Sequence, residues 1–148
     1  MRSFFFILTF AASSALAGPA FDTHFEDATL RIDYYRSGDS KTELVTFDRA
    51  LRQGVWAGPK APLLDPFPYG RSVVRVFDPE TGEELFSKGF DSYFGEYRTT
   101  TPAHKGQART YHESVLLPFP KHPIHITVEL RDPGSAPLAR WTLDPTDI

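Results

Sequence analysis

The chain has no cysteine and a single methionine among its 148 residues. Disulfides and thiolate metal sites are therefore excluded, and burial alone must hold any folded domain together. It also lacks an excess of positive charge. The formal net charge is −3, and no broad basic field exists to draw in nucleic acid or anionic lipid. There is no internal repeat and no glycine-rich phosphate cradle, and one long apolar run occurs, at the start. Met1-Arg2-Ser3 leads into apolar Phe4 to Ala12 and then Ser13-Ser14-Ala15-Leu16-Ala17. A charged start, a short apolar stretch and an Ala-x-Ala site predict a secretory signal peptide over residues 1–17, cleaved after Ala17. The run is shorter than the roughly 20 residues a helical span needs. The expected mature chain, 18–148, is exported to the periplasm or outside the cell and carries no membrane span.

What the chain does have is rings: thirteen phenylalanines, six tyrosines and two tryptophans. Leu30, Ile32 and Tyr34 alternate with polar neighbours, which predicts a strand over 29–35 with one buried face. Ser37-Gly38-Asp39-Ser40 supplies a turn, and Thr42 to Phe47 returns as a second strand. Asp48 stands as an N-cap before Arg49 to Gln53, with Gly54 as a stop, so a one- or two-turn helix is expected there. Trp56 to Gly70 holds four prolines and reads as an ordered loop. Ser72 to Phe77 and Glu84 to Lys88 flank Asp78-Pro79-Glu80-Thr81-Gly82, a hairpin signal with a type I turn and a glycine bulge. Thr101 to Gln107 is a polar surface loop, and Arg109 to Leu117 a strand ended by Pro118, Pro120 and Pro123. In Ile124 to Arg131 the alternation puts Ile124, Ile126, Val128 and Leu130 inward and His125, Thr127, Glu129 and Arg131 outward. Leu138 to Leu143 closes the series. Seven or eight short strands with almost no helix predict an all-β antiparallel β-sandwich, immunoglobulin-like or jelly-roll-like, as a single domain.

Candidate chemistry is sparse. His112-Glu113-Ser114-Val115-Leu116 begins like a two-histidine zinc motif but has leucine in place of the second histidine. It also lies in a β pattern where the motif needs a helix. His122 and His125 fall on opposite faces of a strand and cannot share a metal. Asp33, Glu96 and Glu113 are carboxylates among aromatics. They are expected to pair with arginines such as Arg31, Arg98 and Arg109, although two of them could act as acid and base on a sugar if suitably spaced. Ser92 and Ser114 lack the strand-to-helix elbow of a nucleophile. Gly89 and Gly95 bracket aromatics and mark a bulge or a close backbone approach. Trp56, Tyr69, Tyr93 and Tyr97 lie in or beside loops, where flat rings either stack on sugars or pack inward. No catalytic or metal-ligating residue and no cofactor is assigned.

Phe86-Ser87-Lys88-Gly89-Phe90 followed by Phe94, Glu96, Thr99 and Thr100 resembles the central motif in the N-terminal domain of the IgA-peptidase-like secreted zinc metallopeptidases. Leu30 to Tyr35 with Gly38, Trp56-Ala57-Gly58 with Leu64-Asp65, and Arg109 to Ser114 with Pro118 and Pro120 are similar to further blocks of that domain. The resemblance spans about residues 21–145 and makes Arg31, Asp33, Gly89, Phe90, Glu96, His112 and Glu113 structural-motif positions. Tyr97 stands where the family has tryptophan. The resemblance implies a non-catalytic accessory domain, because the family's zinc-binding helix lies beyond the region matched and no zinc ligand can be carried over. The expected partner is a peptidase domain or another cell-envelope protein. The alternative is a glycan-binding module built on Trp56, Tyr69, Tyr93 and Tyr97.

Overall fold

A computed structural model describes residues 19–132 and 134–148; the expected signal peptide, 1–17, lies outside them. After a single helical turn, α1 (Phe21–His24), the chain builds β1 (Phe25–Gly38), β2 (Glu43–Gln53), β3 (Ser72–Phe77) and β4 (Glu84–Phe90). Two short helices follow, α2 (Tyr93–Tyr97) and α3 (Thr101–His104), then β5 (Arg109–Pro120), β6 (Ile124–Leu130), β7 (Ala139–Leu143) and a 3-10 turn at Pro145–Asp147. Two antiparallel sheets result, ordered β2-β1-β5 and β4-β3-β6-β7, and they pack face to face as an all-β sandwich.

The core is the set of inward positions of both sheets. Leu30, Ile32 and Tyr34 of β1, with Val115, Leu117 and Phe119 of β5, meet Val74, Val76, Leu85, Phe86, Ile124, Ile126 and Leu143. Burying each such side chain contributes about 1.5–3 kcal/mol, which is how a domain without cysteine stays folded. The β3–β4 turn forms as its residues predict. Asp78 accepts from the backbone of Glu80 and Thr81, Gly82 takes a positive φ of 73°, and the register shifts at Val76/Phe77.

Five expectations change. Arg49 to Gln53 is not a helix: β2 runs on to Gln53, each residue paired with β1, and Asp48 is the extra residue of a bulge opposite Asp33/Tyr34. Five residues of good helical propensity cannot offset the cost of nucleating a turn when a neighbouring strand offers every backbone bond. β5 continues through Pro118 and Pro120. It is an edge strand of its sheet, so a proline nitrogen turned away from β1 breaks no ladder bond. Residues 93–97, where Gly95 is expected to mark a bulge or a close approach, form α2; Ser92 caps it by accepting from Gly95 N, and Phe94 and Tyr97, one helical turn apart, are both buried. In the expected surface loop after it lies α3, whose Ala103 packs with those two rings. Thr127, expected outward, is buried and donates to Glu129 Oε1.

Candidate functional site

The outer face of the three-stranded sheet carries Asp33 at its centre. The bulge in β2 brings Arg49 opposite it, and Ser114 of β5 is its register partner on the other side. Arg31 Nε and Ser114 Oγ donate to Asp33 Oδ1 at 2.6 and 2.7 Å, and Arg49 Nε donates to Oδ2 at 2.9 Å. Burial on its own would push the carboxyl up; the bonds from Ser114, Arg31 and Arg49 outweigh it and hold Asp33 well below the usual carboxylate range. Beside it, His112 Nε2 lies 3.0 Å from Asp48 Oδ2, its ring stacked on Tyr35. Asp33, Asp48 and His112 could each turn a ligand atom to one point. A divalent cation there would have to displace two guanidiniums already bound to Asp33.

A second network lies between the sheets. Arg36 of β1 is fully buried. Its Nε donates to Glu43 Oε1 at 2.7 Å, Nη2 to Ser72 Oγ at 2.8 Å, and Nη1 to Ser92 Oγ at 3.2 Å. Arg71 adds a two-pronged contact to Glu43. Burial would raise Glu43, but Arg71 and Arg36 together hold it below its ordinary value. Both folded carboxyls thus sit below the ordinary values of 3.8 for Asp33 and 4.5 for Glu43. Their contribution to stability is complete above those values and is lost as pH falls below them. The thermal midpoint, followed by circular dichroism, is expected to stay nearly level from pH 7 to about 5 and to fall steeply below about pH 4. A midpoint unchanged down to pH 2.5 would contradict this assignment.

Next to this network a cavity of about 580 Å³ opens, lined by Phe90, Asp91, Ser92, Tyr93 and Glu96 on one side and by Tyr34 and residues 111–114 on the other. Tyr34 Oη donates to Glu113 Oε2 at 3.0 Å; burial, then the charge of Glu113, push the phenol well up, so it stays a donor. Glu113 Oε1 is buried with no hydrogen-bond partner among the described residues.

The structure thus gathers Phe90, Tyr93, Glu96, His112 and Glu113 at one cavity, and sets Arg31 and Asp33 together in the outer-face network. Gly89 stands apart. It is a point of close approach, where a Cβ would meet the Tyr69 carbonyl oxygen at 2.2 Å, and it locks the 56–70 loop onto β4 through Asp65. The four loop aromatics divide. Tyr69 and Tyr93 are 74% and 80% exposed, whereas Trp56 and Tyr97 are buried at 7% and 5%. Trp56 packs on Phe86, its indole N–H held by the Pro59 carbonyl, and Tyr97 donates to the Gln107 carbonyl, so they leave no four-ring platform. Of the expected arginine partners, Arg31 does pair with Asp33. Arg98 donates to the Ser40 carbonyl, and Arg109 lies over the Tyr97 ring. The network of Arg36, Glu43 and Arg71 escapes sequence reasoning. Its one signal is an arginine on the apolar face of β1, two residues beyond Tyr34.

Two antiparallel sheets packed face to face, with buried carboxylates held by arginines and an aromatic, acidic cavity beside β5, define an all-β sandwich domain. The chain matches the family model described as Peptidase M64 N-terminus over residues 20–142, and it belongs to that family, as an N-terminal domain. No curated protein matches it. Among the described residues no helix is long and apolar enough to cross a membrane.

Proposed function

We propose that this chain is an exported, non-catalytic accessory domain that works by contact, docking on a peptidase domain or on another protein of the cell envelope. The observation that carries this reading is the match to a peptidase N-terminus in a domain whose central charged groups are tied to one another. Asp33 and Glu43 each serve as the anchor of two arginines, and such closed networks position surfaces rather than react. A glycan-binding role is less well supported, since Trp56 and Tyr97 are unavailable for stacking. The test is hydrolysis of a fluorogenic peptide library by the purified chain, with and without a chelator. The expected result is no turnover in either arm; turnover abolished by chelation would overturn the proposal.

A further inference from the structure

We infer that the cavity beside β5 receives an extended, basic segment of a partner protein, which adds a strand to the free edge of β5 and sends a lysine or arginine side chain into the cavity. This rests on the contact role proposed above and names the chemistry of the partner.

Consecutive residues of a strand point to opposite faces. A cavity touched by Tyr111, His112, Glu113 and Ser114 in succession therefore lies along the edge of β5, where backbone groups face outward, and not over one face. Among the described residues β5 pairs on one side only, with β1. The molecule treats its other sheet differently. There the edge of β4 is covered by the proline-rich loop, through Ser87 N to the Leu63 carbonyl and through Asp65 to Ser87 and Gly89. An open edge next to a side-chain cavity is the arrangement that strand addition uses, with backbone bonds for affinity and the pocket for specificity.

The lining selects the side chain. Tyr34, Phe90, Tyr93 and Tyr111 supply rings; Asp91, Glu96 and Glu113 supply carboxylates; no lysine or arginine contributes. The nearest guanidinium, Arg36, approaches Glu113 at 3.7 Å but is already bonded to Glu43, Ser72 and Ser92. His112 is engaged by Asp48. Glu113, whose side chain is 11% exposed at the cavity wall, adds negative charge there, and rings around a cation add to the attraction.

The test titrates the full chain with a labelled peptide, acetyl-Thr-Lys-Val-Lys-Thr-amide, and with the same peptide carrying Glu in place of Lys. Free lysine amide and a neutral chito-oligosaccharide form two further arms. The expected result is saturable binding of the lysine peptide alone, with amide NMR shifts at Tyr111–Ser114. Glu96→Lys, an exposed position, and Glu113→Gln should each weaken that binding by about tenfold or more. Equal binding of the two peptides, binding of lysine amide or the oligosaccharide as tight as that of the peptide, or no peptide binding would overturn the inference. None of these outcomes touches the non-catalytic reading, which falls only to chelator-sensitive hydrolysis.

Discussion

Arg36→Met is expected to lower the unfolding free energy by about 3–5 kcal/mol, a drop in thermal midpoint on the order of 10–20 °C for a domain of this size. Methionine fills much of the same space, so the loss is electrostatic. Glu43, whose side chain is 6% exposed, would be left with Arg71 as its one close partner, Arg98 standing off at 3.9 Å. Ser72 and Ser92 would each lose the guanidinium contact that joins β1 to the far sheet and to the cap of α2. Arg71→Met serves as the control. Its side chain is 27% exposed, and a partly solvated pair is worth only about 1 kcal/mol. Urea titration distinguishes the two, and an Arg36→Met midpoint within error of the wild type would contradict the network. Glu43→Gln should cost less in the Arg36→Met background than alone, because the two side chains share one interaction.

That network also marks where the sequence stops being legible. Period-two alternation located β1, β6 and β7, because facing one way or the other is a local property: Ile124, Ile126 and Val128 are all buried as their pattern requires. The β3–β4 hairpin was equally plain, since Pro79 and Gly82 act within their own turn. Pairing is not local. Glu43 meets Arg71 across 28 residues and Arg36 meets Ser92 across 56, and nothing in either segment names the other. The same limit explains β2 and β5. Arg49 to Gln53 has helical propensity and Pro118 and Pro120 are breakers, but whether a neighbouring strand claims or spares those backbone groups depends on sheet order. Residues 93–97 were readable in principle, through a serine cap ahead of two rings three apart. For the cavity, Glu96 and Glu113 could be noticed as carboxylates among aromatics, while their meeting at one cavity between α2 and β5 could not.

Phe86→Ala is expected to cost about 3–5 kcal/mol, toward the upper end of that range. Phe86, on β4, is almost wholly buried. It meets Phe25, at the start of β1, and Trp56, in the proline-rich loop, both edge to face, at centroid distances of 6.5 and 5.9 Å. One ring therefore joins both sheets to the loop. Truncation costs less where surroundings can collapse into the gap, and here they are pinned. The Leu63 carbonyl and the Asp65 carboxylate fix the loop to β4 by accepting from Ser87 N and Gly89 N, Arg131 clamps Asp65, and Trp56 is held by Pro59. Phe86 and Trp56 already border a cavity of about 420 Å³, so a missing ring enlarges an existing void. Guanidinium titration gives the free energy, and the chain's two tryptophans report the locality. Emission from Trp56 should shift to the red as its apolar neighbour disappears, while that of Trp141, packed against Tyr34 and Phe47, should hold; Trp141→Phe isolates the first signal. A loss below about 1 kcal/mol, the scale of a minor core trim, would mean that the loop settles freely onto β4 and that its bonds to that strand do not fix its position.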